Sequence, residues 1–198
     1  MSPTTLQQNN TPKEFSPKTF MIWLFIVASV MLFLAFCSAY FVHKGDGMMN
    51  NAWLKFDLPF EFWLSAGIVI ISSIFMQLAY RAAKKDDIYR IPSLLTVTLI
   101  CGIAFCISQY FGWLNLMDRG LFFSNAEPAG ISASFVYVIS AVHFVHIIGG
   151  LSLVTVAIIR ASRLQIHKKN MVFINICKTY WHFLGLLWIL LLLFLYFA

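Results

Sequence analysis

Five apolar runs of about 20 or more residues are the feature that most constrains how this chain can fold. Crossing about 30 Å of hydrocarbon takes roughly 20 helical residues at a rise of about 1.5 Å each. Of the 198 residues 60% are hydrophobic and 11% are charged, and one soluble core of this size cannot bury so much apolar surface. The sequence therefore predicts an all-α, polytopic membrane protein with five transmembrane helices, at about residues 19–42, 60–80, 93–114, 132–159 and 175–197.

The six prolines fall in the N-terminal tail or in the connections between these runs, so the pattern predicts helices without internal breaks. Residues 1–18 are polar and show no periodicity, which is typical of a disordered tail. No basic stretch with a short apolar region precedes the first run, so a cleaved signal peptide is not expected. We expect residues 19–198 to form a single membrane domain.

The distribution of lysine and arginine predicts the orientation. Counting alternate connections, one side carries 11 of the 14 basic residues and the other side carries Lys44, Lys55 and Arg119. The positive-inside rule then places the N-terminus in the cytoplasm and the C-terminus in the periplasm. The net charge of +6 thus reflects membrane topology, and no nucleic-acid partner is expected. The eleven basic residues are Lys13, Lys18, Arg81, Lys84, Lys85, Arg90, Arg160, Arg163, Lys168, Lys169 and Lys178.

Polar side chains deep in the spans are few, and each is a candidate for function because hydrocarbon penalises it. Glu61 lies at the edge of the second span, and no Asp or Glu lies deeper in any span. The chain therefore cannot by itself supply a carboxylate pathway for protons. The amide and imidazole side chains within the spans are Gln77, Gln109, His143, His146 and His182.

Three histidines invite a metal or haem hypothesis, because His143 and His146 are three residues apart on one helix and His182 lies in the last span. Depth argues against it. His182 lies about 8 Å from the cytoplasmic end of its span, and the other two lie roughly 21 to 25 Å from that end. Metal ligands must meet within about 2 Å of one ion. We expect instead that each imidazole is hydrogen-bonded to a neighbouring helix.

Small residues recur along three spans and predict close helix packing. Ala104, Ser108 and Gly112 are spaced by four, Ala35 and Ala39 likewise, and Ser65, Ser72 and Ala79 are spaced by seven. Aromatic residues near the span ends are typical of interfacial anchors, namely Trp53, Trp63, Tyr180 and Trp181.

The last span contains YWHFLGLLW and the fourth contains HFVHIIGG. They resemble two motifs of the haem-copper oxidase subunit III family, YWHFVDVVW and GxHxxHVxxG. FIVASVMLFLAFCSAYF, LPFEFWLSAGIVIISS and GIAFCISQYFGW, which holds Gln109, are similar to the family's other shared helices. The five-helix count resembles the short bacterial form. The matching motif residues are Tyr180, Trp181, His182, Phe183 and Trp188 in the first motif, and His143, His146 and Gly150 in the second.

The chain departs from the family pattern at three positions. Ser29 stands where the family commonly carries a buried glutamate, so roles tied to that carboxylate do not transfer. Gly185 replaces the usual aspartate of the last motif, which leads us to expect that the polar partner of His182 is missing. Ala141 replaces a glycine before the first histidine.

The resemblance implies an accessory subunit of an aerobic respiratory terminal oxidase in the bacterial inner membrane. Such a subunit has no catalytic residue and no metal ligand, packs on subunit I, binds phospholipid, and supports proton uptake and stable turnover. Haems and copper are then held by partner subunits. The implied partners are subunit I, subunit II, cytochrome c or a cytochrome c domain, and a larger supercomplex with a quinol-oxidising complex.

Other readings fit the residues less well. A quinol oxidase subunit III, or a homologue associated with nitric-oxide reductase, remains open because the electron donor is set by the partners. A secondary transporter would show paired repeats and broken helices, and five unbroken spans do not divide into two halves. A membrane di-iron enzyme would need several histidine clusters, whereas this chain has five histidines in all.

Overall fold

The structure is a computed structural model that describes residues 17–49, 58–121, 128–166 and 170–197. Five α-helices account for nearly all of this part of the chain, and each is long and apolar enough to cross a membrane. The predicted fold class, an all-α membrane protein with five spanning helices, is thereby confirmed. The helices are α1 (Pro17–Met49), α2 (Phe60–Lys85), α3 (Arg90–Asp118), α4 (Pro128–Ser162) and α5 (Val172–Phe197).

All of the helices extend beyond the predicted spans at one or both ends, because hydropathy falls at the membrane surface while the backbone hydrogen bonds of a helix continue. Two residues assigned to the tail, Pro17 and Lys18, belong to α1. Pro92 and Pro128 also lie within helices, in the first turn of α3 and at the start of α4. Proline is tolerated there because a first-turn N–H has no partner inside the helix. Residues 1–16 and Ala198 lie outside the described residues.

Four of the helices form a closed ring. In chain order α2 packs on α3, α3 on α4 and α4 on α5, and α5 returns to α2. The most extensive contact joins α2 and α3. Helix α1 lies outside this ring against α4 and α5. The protein is therefore a four-helix bundle with one peripheral helix, and its core lies where α2, α3, α4 and α5 meet.

A tight turn joins α2 to α3 and sets the positions of the basic residues around it. Asp86 adopts a left-handed conformation at φ 65°, and its backbone N–H donates to the carbonyl of Ala83 at 3.3 Å. The N–H of Asp87 donates to the carbonyl of Ala82 at 3.0 Å. These bonds close the end of α2, and α3 begins four residues later at Arg90.

Candidate functional site

Ser65 is the hydrogen-bonding centre of the bundle core. Its hydroxyl donates to the carbonyl of Phe62 at 2.7 Å and accepts from the indole N–H of Trp188 and from the amide of Gln109, each at 2.9 Å. The three side chains Ser65, Gln109 and Trp188 are buried on α2, α3 and α5. One hydroxyl thus joins three helices, and it is the hydrogen-bond acceptor for both Gln109 and Trp188.

His143 lies in the same layer but makes a different kind of contact. Its ring stacks on Trp188, with centroids 5.0 Å apart and an interplanar angle of 24°, and meets Phe105 and Phe33 edge-on. The side chain is fully buried, and neither ring nitrogen has a hydrogen-bond partner among the described residues. The expectation of a hydrogen bond was therefore wrong for His143, because α1, α3 and α5 present aromatic rings at this depth.

His146, one turn further along α4, does bond to a neighbouring helix. Its Nε2 lies 3.3 Å from the hydroxyl of Ser29 on α1, and its Nδ1 lies 2.8 Å from the carbonyl of Val142. The Ser29 hydroxyl also donates to the carbonyl of Phe25 at 2.8 Å. Ser29 thus forms a polar link between α1 and α4.

His182 has a partner, contrary to the expectation drawn from the missing aspartate. Its Nε2 lies 3.2 Å from Oε1 of Gln77 on α2. Gly185 serves a different purpose, since a Cβ at this position would lie 2.7 Å from Cγ1 of Val69 and 3.2 Å from the hydroxyl of Ser73. Close approach of α5 to α2 therefore requires glycine here, and the approach brings Gln77 within reach of the imidazole.

Tyr180 and Trp181 are not interfacial anchors, which corrects a further prediction. Both are buried, at 3% and 4% exposure. The Tyr180 hydroxyl donates to the carbonyl of His146 at 3.2 Å, and the Trp181 indole donates to the hydroxyl of Ser72 at 3.0 Å. Aromatic residues near a helix end can face either headgroups or the bundle. Here Gly102 on α3 and Gly150 on α4 leave space for Trp181, because a Cβ on either would lie within 3.2 Å of its ring.

The small-residue pattern was right for α2 and α3 and wrong for α1. Ser65, Ser72 and Ala79 on α2, and Ser108 and Gly112 on α3, are buried where these two helices pack, whereas Ala104 on α3 is half-buried. Ala35 on α1 is exposed and Ala39 is half-buried, since α1 lies outside the ring.

Phe183 is half-buried and packs against the core, with its ring 6.4 Å from that of Tyr180. Trp63 is 39% exposed, and Trp53 lies outside the described residues.

The three intramembrane histidines do not converge on one point. His182 is bonded to Gln77, whereas His143 stacks on Trp188, which is six residues, or about 9 Å, further along α5. In the part of the chain that the structure describes, no group of three or more His, Cys, Asp or Glu side chains is placed to hold a metal ion. The arrangement is suited to holding helices together.

A polar cluster at the opposite end of the bundle was not predicted. The Nδ2 of Asn115 donates to Oε1 of Glu61 at 3.1 Å, and Nε of Arg119 donates to Oδ1 of Asn115 at 2.7 Å. The hydroxyl of Ser108 donates to the backbone carbonyl of Glu61 at 2.8 Å. These residues come together because α2 packs on α3, which the sequence did not show. The carboxylate of Glu61 at the edge of its span was the one sequence feature that could have indicated a polar cluster here.

The fold and these contacts define a multi-pass helical membrane protein in which several buried polar side chains join neighbouring helices. The chain belongs to the cytochrome c oxidase subunit III family, whose profile matches residues 3–198. The resemblance seen in the motifs is thereby confirmed.

Named relatives align over nearly the whole chain. It is 22% identical to cytochrome c oxidase subunit 3 of Corynebacterium diphtheriae, over 99% of this chain and 94% of that protein. It is 26% identical to the probable cytochrome c oxidase subunit 3 of Nocardia farcinica, over 96% of this chain and 90% of that protein. It is also 24% identical to the cytochrome bo(3) ubiquinol oxidase subunit 3 of Buchnera aphidicola, over 92% of each chain.

Proposed function

We propose that this chain is the accessory subunit III of an aerobic respiratory haem-copper oxidase, and that it packs against the catalytic subunit I. The observation that carries the proposal is the family match over residues 3–198, together with hydrogen bonds between helices at Gln109, His182 and Trp188. A subunit of this kind contributes to assembly and durability, while electron transfer to oxygen takes place in its partners.

The proposed location is the bacterial inner membrane, with the N-terminus in the cytoplasm. Support comes from the five spanning helices and from the excess of basic residues on one side of the membrane. Arg81, Lys85 and Arg90 then lie at the cytoplasmic surface, where they can also influence the field at a neighbour's proton entrance.

The haems and copper are proposed to reside in partner subunits. Of the three intramembrane histidines, His146 and His182 bond to Ser29 and Gln77, and His143 is enclosed by aromatic rings. None of them is free to ligate a metal without leaving these contacts. Subunit II and a cytochrome c or cytochrome c domain complete the proposed complex, which can itself join a supercomplex with a quinol-oxidising complex.

A quinol oxidase is the second candidate for the complex, because two relatives named as ubiquinol oxidase subunits also align over 92% and 90% of this chain. Identification of the co-purifying subunits separates the two. A copper-binding subunit II or a cytochrome c domain would indicate cytochrome c as the donor.

The mechanism follows from the shape and surface of the bundle. Its outer surface carries many large apolar side chains, such as Trp23, Ile71 and Leu190, that can cover the flank of a partner or order lipid against it. No Asp or Glu lies deep in a span, and Ser29 replaces the family carboxylate, so proton transfer is assigned to the partners. Loss of this subunit should therefore reduce the activity that remains after many turnovers more than the initial rate of oxygen consumption.

The test is to remove this chain from the complex and to measure the haem spectrum, the initial rate of oxygen consumption and the activity after many turnovers. We expect the spectrum and initial rate to persist and activity to decline during turnover. Immediate loss of the haem-copper spectrum, with subunit I still present and folded, would show that the chain contributes ligands.

A further inference from the structure

A groove of about 500 Å³ lies on the outer surface of the bundle between α2 and α5. Three polar residues of α2 line it at intervals of four, Ser73, Gln77 and Arg81, and His182 lines it from α5. Residues spaced by four lie on one face of a helix, so these side chains follow one another along the groove. We call these four residues the polar row. The rest of the lining consists of Gly185 and aliphatic side chains.

The polar row has hydrogen-bonding capacity that the bundle itself does not use. Nε2 of His182 lies 3.2 Å from Oε1 of Gln77. Within the described residues, the hydroxyl of Ser73 and the amide nitrogen of Gln77 have no hydrogen-bond partner, and Arg81 has no ion pair. The hydroxyl of Ser152, by contrast, donates to the carbonyl four residues earlier on its own helix. Donors therefore remain along the outer surface of this groove.

The depth of the polar row shows what can cover it. Arg81 lies one turn before the end of α2, at a membrane surface, and Ser73 lies eight residues further in, or about 12 Å. Half of the hydrocarbon core is about 15 Å, so Ser73 is close to the middle of the membrane. A lipid phosphate reaches only Arg81, and an acyl chain has no acceptor for Ser73 or Gln77. Another spanning helix carries acceptors at both depths, and polar side chains in lipid are satisfied by hydrogen bonds between helices.

The chemistry of the polar row defines the helix that fits it. A guanidinium forms strong, charge-assisted hydrogen bonds with a carboxylate, so Arg81 selects a helix with an Asp or Glu at the membrane surface. Deeper in the membrane, the hydroxyl of Ser73 and the amide of Gln77 select a side chain or backbone carbonyl that accepts a hydrogen bond. Ile74 and Leu186 line the same groove at 55% and 59% exposure, and they supply the apolar surface on which such a helix packs.

We propose that a spanning helix of a partner subunit docks in the groove between α2 and α5, with a carboxylate at Arg81 and a hydrogen-bond acceptor at Ser73. Helix α1 packs on α4 and α5 and does not line this groove, so the face is open to a partner. The inference deepens the packing on a catalytic subunit proposed above and rests on it. It names the face of this chain that makes the contact and the chemistry of the helix that it receives.

The first test is photo-cross-linking in the native membrane, followed by purification of the complex and mapping by mass spectrometry. A benzophenone amino acid is introduced at Ile74, which lines the groove. Ile71 is the matched control, because it is the same residue type on the same helix, is 50% exposed and does not line the groove. We expect Ile74 to cross-link to a spanning helix of a partner that has an Asp or Glu near its cytoplasmic end. Ile71 should cross-link to that helix weakly or not at all.

Variants separate docking from internal stability. Ser73→Ala removes a hydroxyl that has no hydrogen bond within the described residues, so the free energy of unfolding of the purified chain should not change. The apparent dissociation constant of the chain from its complex, measured by native mass spectrometry over a dilution series, should rise about threefold, the effect of one hydrogen bond between membrane helices. Arg81→Gln should raise it about fivefold through the lost ion pair. Lys84→Gln is the matched control, because it removes the same charge from α2 outside the groove.

Three results would overturn the proposal: cross-links from Ile74 to lipid or quinone in place of a protein, equal cross-linking of one helix by Ile71 and Ile74, or dissociation constants unchanged in Ser73→Ala and Arg81→Gln. A haem spectrum and subunit analysis of the same preparation test the proposed function separately. A partner helix at Ile74 that belongs to no oxidase subunit would reject the function and keep the docking face. Oxidase subunits that co-purify but cross-link only from Ile71 would reject the docking face alone.

Discussion

The imidazole of His143 stacks on the indole of Trp188, with ring centroids 5.0 Å apart, and the same indole donates a hydrogen bond to Ser65 at 2.9 Å. Trp188 therefore joins α5 to α4 through its face and to α2 through its N–H. The two residues come from different helices, and this contact brings them together in the core of the bundle.

Replacement of His143 distinguishes stacking from hydrogen bonding. His143→Phe should leave stability within about 1 kcal/mol, because the ring contacts remain and no hydrogen bond is lost. His143→Ala should cost about 3 kcal/mol, because it leaves a cavity beside Trp188. The measurement is the free energy of unfolding of the purified protein in a denaturing-detergent titration. An equal loss of unfolding free energy in both variants would contradict the stacking interpretation. The haem and metal content per assembled complex should remain unchanged in both variants.

Replacement of Ser65 tests the hydrogen-bonding centre. Ser65→Ala leaves the donors of Trp188 and Gln109 without their acceptor, which should cost about 1 to 3 kcal/mol, although hydrogen bonds between membrane helices average near 0.6 kcal/mol. Ser152→Ala is the control, since this exposed hydroxyl donates to the carbonyl of Ile148 on its own helix and has no bond to another helix among the described residues. Unfolding titrations of the two variants should differ; similar midpoints would mean that the Ser65 bonds add little.

Gly185 offers a test of close packing between α5 and α2. Gly185→Ala should destabilise the bundle by about 1 to 3 kcal/mol, because the new Cβ would lie 2.7 Å from Cγ1 of Val69. Adding Val69→Ala removes that atom, so the double variant should lose less than the sum of the two single losses. Gly67→Ala is the control, because its added Cβ would have no described atom within 4 Å apart from the neighbouring backbone of α2. Additive losses in the double-mutant cycle would argue against this contact as the cause.

Reporter fusions test the orientation. A reporter active only in the cytoplasm should work when inserted before Phe20 or between Lys168 and Lys169, and it should fail after Ala198, because the positive-inside rule keeps the basic connections in the cytoplasm. A periplasm-specific reporter at the same three positions is the reciprocal control. The opposite pattern would reverse the topology proposed for the chain.

The sequence alone was sufficient for the five helices, because long apolar runs must cross the membrane as helices whose backbone groups are satisfied internally. It also supported the family resemblance through Trp181, His182 and Trp188, and it selected Gln109 as an intramembrane polar residue. Helix ends were displaced by several residues, since interfacial polar residues do not stop a helix.

Only the tertiary structure decided the partners of these residues. The sequence could not show that Gln77 replaces the missing partner of His182, that His143 meets rings instead of a hydroxyl, or that Trp181 faces inward against Gly102. Hydropathy measures how favourably a residue enters lipid. The mean hydropathy of the helix face that contacts lipid is nearly the same as that of the face that contacts another helix. The direction of each face is determined by which helices become neighbours. In this protein the neighbours are α2, α3, α4 and α5, which form a ring, with α1 outside it. Glycine and serine allow these backbones to approach closely enough for aromatic and polar side chains to meet.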